Sequence, residues 1–217
     1  MKKLKPIAII TLALFLNSCG LKEVVGPNAE GTTNSDSYQP VTKNSTWKYA
    51  IQVVGTPNND QATITMTGDV RTINGTVFYK AVENSSTESA VGYFAHSGSV
   101  YLSYSDDDGY AVPYLDDTKA VGESFKQTVV DPSAGTGVSA QYLTTIVEKN
   151  VSKTINGKTF KNVIHTRSEL QYNSGNGYQM VDVSEYYVAK GIGLVEIDAY
   201  LGGVLLAKQT ITSYNIK

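Results

Sequence analysis

Turn-forming residues punctuate this chain about every ten positions, at Pro57-Asn58-Asn59-Asp60, Asn74-Gly75, Ser97-Gly98, Asp108-Gly109, Ser133-Ala134-Gly135, Asn156-Gly157, Asn176-Gly177 and Gly202-Gly203. That spacing suits strands joined by tight connections. The Asn-Gly and Asp-Gly pairs fit type I′ hairpins, where both central residues need positive φ. Between turns, Ala62, Ile64 and Met66 alternate with Thr63, Thr65 and Thr67, the period of a strand with one buried face. No window of twelve or more residues carries an apolar period near 3.6. All 15 tyrosines and the single Trp47 lie beyond residue 37, on a Thr, Ser, Asn and Gly background that favours strands over helices. An all-β antiparallel domain over residues 38–217 is predicted. Periodicity leaves its closure open among half-barrel, barrel and sandwich.

The domain carries an internal echo. Arg71-Thr72-Ile73-Asn74-Gly75 returns as Lys153-Thr154-Ile155-Asn156-Gly157, and at the same offset Phe78 meets Phe160 and Val82 meets Ile164. Asn44-Ser45-Thr46-Trp47 faces Gly122-Glu123-Ser124-Phe125, and Tyr93-Phe94-Ala95-His96 faces Tyr187-Val188-Ala189-Lys190. The order predicts two tandem meander repeats, about 38–115 and 116–217, sharing one core because a lone meander leaves its apolar face wet.

The same segments bear a family resemblance. Asn44-Ser45-Thr46-Trp47-Lys48-Tyr49 and Tyr186-Tyr187-Val188-Ala189-Lys190-Gly191-Ile192-Gly193-Leu194-Val195 resemble the Gly-x-x-Trp-x-Tyr opening and Tyr-Tyr-x-Ala-x-Gly-Val-Gly-Leu-Val closing of a group of uncharacterised bacterial envelope lipoproteins. Asn44 replaces the usual Gly and Ile192 the usual Val. The resemblance implies a β-rich body and brings no activity with it. Gly191 and Gly193 are expected in a tight turn, with Trp47 and Tyr187 as core anchors.

The amino terminus has a different character. Lys2, Lys3 and Lys5 precede an apolar run from Ile7 to Leu16 broken only by Thr11. Ten helical residues span roughly 15 Å, half a bilayer core, so the run reads as a signal peptide over residues 1–18 rather than a spanning anchor. Leu16-Asn17-Ser18-Cys19 resembles the lipobox of bacterial lipoproteins, with Asn17 less usual than Ala or Ser. That resemblance implies a diacylglycerol thioether on Cys19, cleavage before it, and fatty acylation such as palmitate on the new amino terminus. Cys19 is the only cysteine, and lipidation also removes a free thiol from an oxidising compartment. Two or three acyl chains exceed what stable anchoring requires. Residues 19–37 are then the lipidated cysteine and a polar, flexible tether. Gly20 is not the Asp that marks inner-membrane retention in enteric lipoproteins, which points to the outer membrane. Cleavage reduces the basic residues from 18 to 15 against 20 acidic ones, a net charge of −5. With no basic run, nucleic acid is excluded as a partner class.

Catalytic constellations are not apparent in the residue order. Only His96 and His165 are available, without a Gly-x-Ser-x-Gly elbow or a His-Glu-x-x-His helix. His165 shares a face with Arg167 and Glu169, which reads as a solvated strand face with a local charge network. Asp106-Asp107-Asp108-Gly109, with Asp116 and Asp117 nearby, misses the calcium loop pattern because Tyr104 and Leu115 occupy two ligand positions. No metal or cofactor is expected. Tyr101, Tyr104, Tyr110 and Tyr114 form one cluster and Tyr172, Tyr178, Tyr186 and Tyr187 another; strand propensity explains most of them equally well, and three or more solvent-facing rings in one groove would favour ligand binding. The expected function is a non-catalytic binding or structural module of the envelope, held to the membrane by lipid and meeting an envelope protein or an apolar ligand. A carrier of lipid is the alternative, which needs an open apolar cavity. A hydrolase is the remote one.

Overall fold

A computed structural model describes residues 36–56, 59–86, 88–131 and 138–217. The expected signal peptide, Cys19 and most of the expected tether lie outside the described residues, as do Pro57 and Asn58 of one expected turn and Ser133-Ala134-Gly135 of another. Twelve strands follow in chain order: β1 (Thr46–Val53), β2 (Asn59–Ile73), β3 (Thr76–Asn84), β4 (Ser89–Ser97), β5 (Val100–Ser105), β6 (Ala111–Asp116), β7 (Ser124–Val129), β8 (Ser139–Ile155), β9 (Lys158–Asn173), β10 (Gln179–Ala189), β11 (Gly193–Leu201) and β12 (Val204–Asn215). They form one antiparallel sheet ordered β6-β5-β4-β3-β2-β1-β12-β11-β10-β9-β8-β7. The sheet curls into a nearly closed barrel, which decides among the three closures that periodicity allowed. No helix occurs among the described residues.

Local chemistry accounts for the strands and their turns. Ala62, Ile64 and Met66 are all buried, as their alternation predicts. Asn74 and Gly75 turn β2 into β3 with φ of 50° and 79°, and Asn156 and Gly157 turn β8 into β9 with 50° and 78°. These are the left-handed conformations of an Asn-Gly hairpin. The segments entering β1 and β7 also match. The Asn44 amide donates to Met66 O at 2.9 Å while the Met66 amide donates to Ser45 O; the Gly122 amide donates to Ile146 O at 2.8 Å while the Ile146 amide donates to Glu123 O. Asn44 has φ 66° and Gly122 φ 83°. Asn stands in for Gly here because its short polar side chain tolerates the left-handed region.

One end of the barrel interior is filled with rings. Trp47, Tyr49, Phe94, Tyr101, Tyr114 and Tyr186 belong to a single buried cluster. Trp47, 2 % exposed, donates from its indole Nε1 to the Ile192 carbonyl at 2.6 Å, and the Tyr49 hydroxyl donates to the Leu194 carbonyl at 2.8 Å. Trp47 is thus the core anchor expected of it. Gly193 suits this turn through its backbone: its φ of 103° is a conformation that residues with a Cβ rarely adopt. The entering chain closes the same end. The Gly191 amide donates to Ser37 O at 2.7 Å, the Tyr38 amide to the Tyr101 hydroxyl at 3.3 Å, and the Tyr114 hydroxyl to Gln39 Oε1 at 3.2 Å. Tyr187 differs from Trp47: it is half-buried and stacks on His165 with ring centroids 4.1 Å apart.

Trp47→Phe is expected to destabilise the protein by about 1–3 kcal/mol, the cost of leaving the Ile192 carbonyl without its donor. Trp47→Ala is expected to cost about 3–5 kcal/mol through the cavity it opens. Urea unfolding of the two variants, with an unchanged m-value for Trp47→Phe, checks both figures.

Candidate functional site

The two ends of the chain meet the two halves of the sheet unequally. β1 and β12 are paired from Thr46 against Asn215 to Val53 against Ala207, with one bulge. β6 and β7 are consecutive in sequence, yet no ladder joins them. Pro113 in β6 has no N–H to offer a neighbour, a residue that strands accept at edges. The β6 edge instead meets hydroxyls on β8 and β9. Thr144 donates to the Pro113 carbonyl at 3.1 Å and Thr166 to the Tyr114 carbonyl at 2.6 Å, while Thr144 and Ser168 are linked at 2.8 Å. β6 therefore lies across the face of β8 and β9, and β7 is left on the outside. Gln127 reaches across the gap, its Nε2 donating to Ala111 O at 3.3 Å.

A groove of about 400 Å³ opens along this seam. One wall is the outer face of the first half, where Phe78, Leu102 and Tyr104 present an apolar cluster on the opposite side from the barrel interior. The other wall is β7 and the residue after it, from Gln127 to Val130, and Tyr110 stands at the end. Val130 is 83 % exposed at the rim. The tyrosines divide accordingly. Tyr101, Tyr114 and Tyr186 are buried in the interior, Tyr104 and Tyr110 are half-buried in the groove, and Tyr178 is exposed elsewhere. Tyr172 is half-buried and bonds to Asp131.

The charged residues singled out from sequence form a separate network. His165 is 7 % exposed and so is not solvated as expected, while Arg167 and Glu169 on the same face are half-buried. Its Nε2 lies 3.0 Å from Glu185 Oε2 and its Nδ1 3.4 Å from Glu148 Oε2. Arg167 bridges Glu169 at 3.2 Å and Glu185 at 3.3 Å. Lys153, paired with Glu196 at 2.8 Å, covers the outer face of the Tyr187 ring at 3.5 Å. Two carboxylates and the Tyr187 ring enclose this histidine. Both imidazole nitrogens face carboxylates, which leaves neither in position to activate a hydroxyl nucleophile. His96 is exposed at the end of β4 and stacks on Tyr101 at 4.1 Å. At the acidic hairpin tip, Asp106 pairs with Arg71, and burial raises the Asp108 carboxyl to about 6. Among the described residues, no group of three His, Cys, Asp or Glu side chains could hold a metal ion.

A buried acid occupies the interior. Glu83, 5 % exposed, is raised to about 8, chiefly by burial and further by Glu88 and Asp60. Its Oε2 and both polar atoms of the buried Gln209 side chain have no hydrogen-bond partner among the described residues. Sequence patterning placed neither residue in the interior, because a single polar residue at a core position is invisible to periodicity.

Comparisons with known proteins bear on the fold. No family model and no curated protein matches the chain. Two crystal structures do resemble it. A candidate lipoprotein from Parabacteroides distasonis superposes with a TM-score of 0.52 at 10% identity, over 82% of this chain and 98% of that one. A candidate exported protein from Bacteroides fragilis, described as having a YmcC-like fold, gives a TM-score of 0.51 at 8% identity, over 81% of this chain and 97% of that one. At such identities the likeness is one of fold.

Glu83 sets an expected pH dependence. Its folded pKa lies above its unfolded value, so between about pH 4.5 and 8 the unfolded chain releases a proton that the folded state retains. Stability is expected to fall across that window, by on the order of 5 kcal/mol, and to level off above it. Glu83→Gln is expected to flatten the slope and to be the more stable protein at pH 8. Chemical denaturation at a series of pH values checks this, and an unchanged slope in Glu83→Gln would exclude Glu83 as its source.

Proposed function

We propose that this chain is a lipid-anchored, non-catalytic binding module of the bacterial cell envelope, and that its partner seats in the groove between β6 and β7. The observation that carries this reading is the unequal pair of joints. β12 and β1 are laddered along their length, whereas the corresponding ends β6 and β7 are splayed around an open groove. A barrel whose interior is packed with side chains offers its ligand a surface groove. The lipobox at Leu16-Asn17-Ser18-Cys19 supports the anchor, and the fold is shared with a candidate lipoprotein and a candidate exported protein. The same reading takes the two six-strand halves as a tandem duplication, supported by the matching turns at Asn74 and Asn156 and the matching entries at Asn44 and Gly122. The apolar lining residues Ile73, Val100 and Val130, which are partly or fully exposed, favour a lipid carrier as the second reading.

Residence in the outer membrane is tested by labelling and fractionation. Radiolabelled palmitate is expected to enter the wild-type protein and sediment with outer-membrane vesicles. Cys19→Ala is expected to lose the label and leave the membrane fraction. An unlabelled wild-type protein with an intact amino-terminal segment by mass spectrometry would overturn the anchor.

A further inference from the structure

The groove has a chemical signature beyond its shape. None of its lining residues is charged. The half-buried Tyr104 and Tyr110 supply rings, while Asn74, Thr76, Ser97, Gln127 and Thr128 supply amides and hydroxyls from both walls. Each candidate ligand class meets this lining differently. An anion or cation would be desolvated without an opposite charge to receive it, a large cost in a partly enclosed site. An acyl chain would cover Asn74, Thr76, Ser97 and Thr128 without satisfying them, at about 1–3 kcal/mol for each group left buried and unpaired. An uncharged ligand with one apolar face and several hydroxyls satisfies both sets at once. A pyranose ring has this form: its C–H face lies against an aromatic ring while its hydroxyls bond amides and hydroxyls at the edge. The volume of about 400 Å³ falls in the range of small-molecule sites.

We infer that the β6–β7 groove binds a neutral saccharide, a sugar or short oligosaccharide without carboxylate, phosphate or sulfate groups. This rests on the reading that the groove is the binding site and adds the class of its ligand. The polar residues stand at one turn and on three strands: the β2–β3 turn, the start of β3, the end of β4 and β7. Such a set can bond hydroxyls around a ring rather than along one edge. Ring stacking orients the sugar, and the uncharged amides discriminate against acidic sugars, whose carboxylates find no cation in the lining.

The test uses the full chain in detergent and saturation-transfer NMR against neutral gluco-, galacto-, manno- and N-acetylglucosamine oligosaccharides, a uronic-acid oligosaccharide and palmitate. Two variants fill the groove from exposed positions on opposite walls, Thr128→Trp and Ser97→Trp. Lys161→Ala, an exposed site outside the groove, is the control. At least one neutral oligosaccharide is expected to bind, with affinity reduced about tenfold or more in both tryptophan variants, equivalent to about 1.4 kcal/mol, and unchanged in the control. Melting curves matching wild type identify folded variants. Failure of every neutral oligosaccharide to bind would overturn the saccharide assignment, as would equal binding by both folded tryptophan variants. Palmitate binding that both variants abolish, without saccharide binding, would overturn the ligand class while leaving the groove as the binding site.

Discussion

The hydrogen bond from the Trp47 indole to the Ile192 carbonyl holds together parts of the chain 145 residues apart, and the rest of the barrel depends on it. Tyr49 repeats the contact one step along, on Leu194, over the same sequence separation. Together they fix the opening strand against the turn that precedes β11, so the register of β12 on β1 is decided by buried side chains as well as by the ladder. Burial makes these bonds consequential, since each carbonyl would otherwise lose its water without gaining a donor. The glycine at 193 belongs to the same device. Its φ of 103° gives the turn a backbone path that residues with a Cβ rarely take, with Gln39 and Trp47 packed beside it.

The opposite seam is built by different physics. Where β1 and β12 exchange backbone bonds, β6 hands its carbonyls to the hydroxyls of Thr144, Thr166 and Ser168. Pro113 cannot donate, so a full ladder on that edge is unavailable. Side-chain hydroxyls satisfy acceptors without requiring strand register, which allows β6 to cross β8 and β9 and leaves β7 standing apart. The groove is the geometric consequence. Its apolar wall is a second, smaller core on the far side of the sheet, with Arg71 lying over Tyr93 and Tyr104 and bonded to Asp106. The proposed duplication gives the asymmetry its sense: one of two equivalent joints closes the barrel, and the other is open for a ligand.

Local signals were the legible part of this protein. Ala62, Ile64 and Met66 announced a buried strand face, and Asn74-Gly75 and Asn156-Gly157 announced hairpins, because alternation and positive φ depend only on near neighbours. Trp47 was legible as a core ring, though not its partner. His165 was misread as solvated: period-two geometry says which side chains share a face but not what covers that face. Glu185 comes from the neighbouring strand and Tyr187 stacks on the ring, so the histidine is enclosed by residues twenty and more positions away. The tyrosine clusters were visible as clusters, yet Tyr101 and Tyr104 lie on opposite sides of the same strand, and only one of them faces the groove.

By itself the sequence determined the strands, most of their turns and the all-β class, since each is encoded by residues a few positions apart. Tertiary structure alone decided that the sheet closes through β1 and β12, that the β6–β7 joint stays unpaired, and that an uncharged groove lines that joint. Those outcomes follow from which distant edges find donors. Competition between a backbone ladder and three buried hydroxyls for the carbonyls of β6 is settled only once the barrel has curled far enough to bring them together.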